Sequence, residues 1–238
     1  MRTTDTGIVR SYCESNIGGV FDLNYLSNGI FKDIPHVNLR KIVTRLIDSG
    51  LLRQISKGVY FIGDSELSDE ERIIRHYTFD GDVRVGMACG DYLFYELGIS
   101  SYMPPIKEIK TKKTVGNKRI GDIQINECKS VIAEGALHTY EITVILELIY
   151  HRADERYPIE TASLISEYAK YYKDFILKYM ELEYPIHVYK KLAEVLKSMD
   201  ISNRVIEHYE EQVSHTVPNI ERVYSIPKDS KKWNHFKV

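Results

Sequence analysis

The 238-residue chain has little of several features that would assign a function quickly. Its three cysteines, Cys13, Cys89 and Cys128, lie 76 and 39 positions apart, with no C-x-x-C pair and no histidine at zinc-ligand spacing. That excludes a disulfide framework and a zinc module of the usual spacing, and predicts buried thiols. No run approaches the roughly 18–20 apolar residues of a membrane span, and "MRTTDTGIVRSYCESN" lacks the apolar stretch of a signal peptide. A cytoplasmic protein without a membrane partner is expected. There is no fixed-period repeat, no low-complexity tract, and no phosphate loop, nucleophile elbow or H-E-x-x-H helix. The eight histidines are scattered, none three or four residues from another. The expectation is a non-enzyme with no cofactor and no metal. His138 with Glu141 reads as a surface pair, and Gly86 and Gly90 lack the spacing of an anion-binding loop.

A strong excess of one charge is also missing, since the formal net charge is −2. The distribution is more informative than the sum. Residues 1–63 carry +3, residues 64–106 carry −6, "KEIKTKKTVGNKR" at 107–119 carries +5, and the remainder −4. A polyanion would meet two basic segments separated by acidic ones.

What is present begins with a 43% hydrophobic content, enough for a real core. Residues 7–15 suit a short helix with Ile8 and Tyr12 on its apolar side; Val20-Phe21 suits an extended segment, and Asp22 is an N-cap candidate for a short helix ended by Asn28-Gly29. The clearest pattern follows. Leu39, Ile42, Val43, Leu46 and Ile47 fall at i, i+3, i+4, i+7 and i+8, one stripe of an α-helix, with Asn38 as cap candidate and Gly50 beyond the end. "LLRQIS" and "VYFI" are β-prone and meet at Lys57-Gly58, a turn that calls for the positive φ glycine supplies.

Three helices and a two-stranded hairpin are the order of a winged helix-turn-helix, whose third helix enters the major groove. Its polar side carries Arg40, Lys41, Thr44 and Arg45, with Asp48 near the end, and Lys57 stands at the hairpin tip. Cations on one face suit phosphates, and arginine also reads base edges. Cations opposite an apolar stripe are equally what any solvated helix shows, and winged helices also dock proteins.

Beyond the acidic stretch "GDSELSDEE", "DEERIIRHYTF" predicts a helix, Val83–Met87 a strand, Asp91–Leu97 a helix, and "YMPPIKEIKTKKT" with "KRIGDIQIN" two strands around a basic turn at Val115–Lys118. From Thr139 onward the spacing is helical, with Pro158 and Pro185 as punctuation and much of the chain's tyrosine on these helices. The tail "SIPKDSKKWNHFKV", with the one tryptophan, reads as a flexible end or an arm.

The segment "LRKIVTRLIDSGLLRQISKGVYFI" resembles the AbiEi-type antitoxins, regulatory halves of bacterial toxin–antitoxin operons linked to abortive phage infection. Arg45-Leu46, Gly50, Leu52, Arg53, Gly58 and Tyr60 stand in the order of the family's pattern. The likeness continues through "RVGMACGDYLFYELGIS" and "PPIKEIKTKKTVGNKRIGDIQI", over about residues 8–150, and does not extend into the helical, tyrosine-rich remainder. The resemblance implies a repressor that binds inverted repeats in the promoter of its own operon and counters a nucleotidyltransferase-type toxin encoded beside it, without necessarily touching it. By position, it implies DNA contacts at Arg40, Lys41, Thr44, Arg45, Arg53 and Lys57, with Arg53 alternatively bracing the hairpin. Lys110, Lys112, Lys113, Lys118 and Arg119 are candidates for a second basic contact.

The expected architecture is α+β: a winged helix at 1–64, then a mixed domain at 65–238 ending in a helical bundle. Two other classes compete. One is a protein-interaction module whose winged helix is only structural; the other is a metal-dependent nuclease whose carboxylates the sequence does not pair.

Overall fold

The computed structural model describes residues 4–128, 139–178, 184–202 and 205–207. His138 and the tail segment 225–238 lie outside the described residues. The chain is a mixed α and β structure and divides into two compact units, residues 1–93 with 103–135, and residues 94–102 with 136–238.

In the first unit, α1 (Asp5–Ser15) begins at Thr4, whose hydroxyl accepts from the Gly7 amide. Val9 and Cys13 form its buried side; Ile8, expected there, is 42% exposed, because the buried stripe runs one residue further along the helix and leaves position 8 about 100° away from it. Strand β1 (Val20–Asp22) leads into α2 (Leu23–Asn28), and Asp22 caps α2 by accepting from the Tyr25 amide, as expected. Helix α3 (His36–Asp48) buries Leu39, Ile42, Val43 and Leu46, while Ile47 is half-buried at the margin. Each fully buried aliphatic side chain of this kind contributes about 1.5–3 kcal/mol. Asn38 is not the cap: Pro35 occupies that position, so the helix starts at His36 and Asn38 sits in its first turn.

Strands β2 (Leu52–Ser56) and β3 (Val59–Ile62) close on Lys57-Gly58, where Gly58 has φ +77°. β1 adds to β3, giving an antiparallel sheet of order β1-β3-β2 in which Phe21 faces Tyr60 and Arg53 faces Phe61. Phe21, Phe31 and Tyr12 pack as rings beneath it, with centroids 5.3–6.2 Å apart.

Helix α4 (Asp69–Thr78) opens with a capping box in which Ser68 and Glu71 satisfy one another's backbone amides. The strand expected at Val83–Met87 is two short strands in different sheets. β5 (Val83–Arg84) pairs with β4 (Phe79–Asp80), whereas β6 (Gly86–Cys89) joins the second sheet. Gly86 is required there by close approach: a Cβ would stand 2.1 Å from the Tyr77 carbonyl oxygen.

After α5 (Gly90–Glu96), β7 (Lys107–Thr111), β8 (Lys118–Ile120) and β9 (Ile123–Glu127) complete a sheet of order β6-β7-β9-β8. The expected pair of strands around the Val115–Lys118 turn is corrected here. β7 lies parallel to β9, and the hairpin is β8-β9 around Gly121-Asp122, so residues 112–117 form a strap that passes β9 and joins β7 to the edge strand β8. Helix α4 packs against β1, β6 and β7.

The second unit is helical. Its helices are α6 (Thr139–Tyr150), α7 (Ala153–Arg156), α8 (Pro158–Lys178) and α9 (Ile186–Ser198); α6, α8 and α9 share a core including Ile145, Leu146, Ile165, Val188, Leu192 and Leu196, and α7 packs against α6 and α8. Pro158 opens α8 and Pro185 caps α9, the places where a missing amide hydrogen costs least. Within this core Glu147 is fully buried and accepts from the Tyr184 hydroxyl at 2.5 Å, with His151 Nε2 at 3.2 Å. Asp154, also buried, lies 3.7 Å from the Lys191 ammonium. Among the described residues, no helix is long and apolar enough to cross a membrane.

Candidate nucleic-acid interface

Burying one stripe of α3 forces the opposite side outward. Arg40, Lys41, Thr44 and Arg45 are all exposed, together with His36, Val37 and Asn38 in the first turn. Arg40, Lys41 and Arg45 make no ion pair among the described residues, so their donors are available to a ligand. The Thr44 hydroxyl donates to the Arg40 carbonyl at 3.1 Å and retains acceptor capacity. Lys41 and Arg45 also border a shallow groove of about 390 Å³ with Thr4 and Asp5 at the start of α1, where first-turn amides lie beside one opposing carboxylate.

The hairpin treats its two cations differently. Lys57 is exposed at the tip without a carboxylate partner among the described residues. Arg53 is committed elsewhere: its guanidinium pairs with Asp69 at 2.8 Å and lies over the Phe61 ring at 4.9 Å. That geometry is the bracing role left open by the sequence, tying β2 to the start of α4.

Most of the second basic segment is spent inside the fold. Lys113 pairs with Asp80 at 3.0 Å and donates to the Phe79 carbonyl at 3.2 Å. Arg119 lies 3.7 Å from Asp122 and donates to the Gly121 carbonyl. Lys118 pairs with the buried Asp22 carboxylate. Lys110 and Lys112 are half-buried on β7 and the strap. Lys107, Lys113, Lys118 and Arg119 thus have the carboxylates of Glu70, Asp80, Asp22 and Asp122 as partners, and much of the +5 charge of this stretch is spent inside the unit.

Two buried polar arrangements hold this unit around α3, and neither was visible in sequence. In the first, Asp22 accepts from the Tyr77 hydroxyl at 2.9 Å while capping α2 and pairing with Lys118. Burial, then the Asp22 charge, raises the Tyr77 pKa, so the phenol remains a donor. In the second, Arg72 is buried and donates to the carbonyls of Gly18, Gly19, Ile62 and Gly63 at 2.9–3.3 Å, with its guanidinium 4.0 Å from the Phe61 centroid. One side chain thus gathers four carbonyls from two strand ends, those of Gly19 and Ile62 also accepting backbone amides from Ile62 and Gly18. The only sequence hint was an arginine beside Ile73 and Ile74 on an otherwise acidic helix start.

All three cysteines are buried thiols outside any disulfide, and burial first of all pushes the Cys13 thiol up to about 12. Among the described residues no group of three or more His, Cys, Asp or Glu side chains is arranged to hold a metal ion. Compared with known protein families and with curated proteins, the chain matches no family model and no individual protein.

Proposed function

We propose that residues 4–63 act as a winged helix that binds duplex DNA, with α3 as the recognition helix, and that the protein is the autoregulating antitoxin of a toxin–antitoxin operon. The observation that carries the DNA half is the exposed face of α3, on which Arg40, Lys41 and Arg45 make no ion pair among the described residues, while Lys113 and Lys118 of the second basic segment are paired within the unit. A chain of net charge −2 that leaves cations unpaired on one helix presents a local field suited to a polyanion. Arg40 and Arg45 supply phosphate or guanine contacts, Asn38 has the bidentate amide that suits adenine, and Val37 offers an apolar contact for a thymine methyl. Lys57 reaches the neighbouring backbone from the wing, and Arg53 holds the wing in place. The antitoxin half rests on the AbiEi-type resemblance.

Gel shifts with the DNA immediately upstream of the gene test the first half; retention that survives scrambled competitor supports it, and loss under competitor removes it. Co-expression with the neighbouring gene product tests the second, since an antitoxin restores growth that a nucleotidyltransferase toxin arrests. Growth arrest that the chain does not relieve removes the antitoxin role.

A further inference from the structure

A recess of about 350 Å³ opens on the side of the first unit between α1, α2, the end of α4 and the strap that follows β7. Its volume lies in the range of small-ligand pockets, roughly 300–1,000 Å³. Tyr12 and Tyr25 line it as rings, with Leu26 as apolar floor, and the strap contributes Lys112 and Lys113. The Lys112 ammonium makes no ion pair among the described residues. Lys113 holds Asp80 and the Phe79 carbonyl and has one donor left.

At the edge of this recess stands His76, whose Nε2 is buried and has no hydrogen-bond partner. A second depression of about 340 Å³ shares Asn16, His76, Asp80 and Lys113 with the first and adds the exposed Arg75. Lys112, Lys113 and Arg75 thus face a single carboxylate, Asp80, across a wall that also carries two tyrosines.

We infer that this recess is a binding site for a small aromatic anion, its ring on the wall of Tyr12 and Tyr25 and its negative group on Lys112 and Lys113. The inference is independent of the DNA reading, since none of these residues belongs to the α3 face. Aromatic side chains supply ring contacts without demanding one chemical series, and the ammonium groups select charge. An aromatic carboxylate and a mononucleotide share this chemistry.

The test is an NMR titration of the full-length ¹⁵N-labelled protein with indole-3-acetate, salicylate and AMP, and with uncharged indole and inorganic phosphate as controls lacking charge or ring. The expected result is saturable binding of at least one aromatic anion, with shifts concentrated at Tyr12, Tyr25, His76 and Lys112. The controls should bind about tenfold more weakly or worse, and Lys112→Glu should weaken binding about tenfold while Lys112→Arg retains it. Lys41→Glu on α3 should leave it unchanged. Carboxylate but not AMP binding assigns the site to the first source, and the converse to the second. No saturable binding by any of the three anions, shifts scattered away from the recess, or full affinity in Lys112→Glu would overturn the inference. If Lys112→Glu does not fold, Lys112→Gln replaces it, with the same outcomes.

Discussion

At the scale of single residues, the fold depends on a few positions whose roles come from distant partners. Gly86 is the sharpest. A methyl group added there would meet the Tyr77 carbonyl at 2.1 Å, and backbone cannot step aside as a flexible side chain would. Gly86→Ala should therefore destabilise by about 3 kcal/mol or more, read as a lowered urea midpoint; an unchanged midpoint would show that the two backbones separate freely. His76 makes a prediction about pH. Burial first, then Lys113 and Lys118, lowers its pKa from 6.5 to about 3. Between these values the unfolded chain takes up a proton that the folded chain refuses, so stability falls as pH drops through this window and is unaffected by this group above it. The exposed Glu71, held below the usual carboxylate range by its hydrogen bonds to Ser68, acts in the same direction. His76→Gln should flatten the acid-side loss of the urea midpoint relative to the parent, and parallel curves would contradict the assignment.

At the scale of elements, what was legible in the sequence was what short-range periodicity encodes. The α3 stripe, the Asp22 cap, the Lys57-Gly58 turn and the proline boundaries of α8 and α9 all follow from spacing or from the chemistry of one residue. The second sheet was not legible. β7 pairs in parallel with β9 while β8 intervenes in the chain, an arrangement set by tertiary packing that local alternation cannot distinguish from a simple hairpin. For the same reason the basic segment read as a surface, whereas Asp22, Asp80 and Asp122 pair with its Lys118, Lys113 and Arg119. The Asp22–Lys118 pair locks the base of the first sheet to β8, and its coupling is measurable. Removing one partner of such a buried pair costs about 3–5 kcal/mol, because the other charge is left behind. Lys118→Met should therefore destabilise strongly, and Asp22→Asn combined with Lys118→Met should cost less than the sum of the two single changes. Additive effects in that double-mutant cycle would mean the pair is not coupled.

At the scale of the whole molecule, a braced α3 carries an exposed cationic face. Arg72 and the Asp22 cluster fix the sheet that supports the helix, Arg53 braces the β2-β3 hairpin, and Asp80 and Asp22 pair with Lys113 and Lys118, while Arg40, Lys41 and Arg45 on α3 make no ion pair among the described residues. The candidate site was legible as far as Arg40, Lys41, Thr44, Arg45 and Lys57, whose exposure follows from the helix stripe and the turn. It was not legible at Arg53, Lys113 and Lys118, because their partners lie 16, 33 and 96 residues away. The most direct measurement is a fluorescence-anisotropy titration of the upstream DNA with the full-length protein and with its Arg40→Ala/Arg45→Ala variant, at about 50 and 200 mM salt. The account predicts binding that survives scrambled competitor, weakens steeply with salt, and in the variant is both weaker and less salt-dependent, the slope falling by about 2 if each arginine neutralises one phosphate. Equal affinity and an equal slope in the two proteins would contradict it, and would remove α3 from the interface.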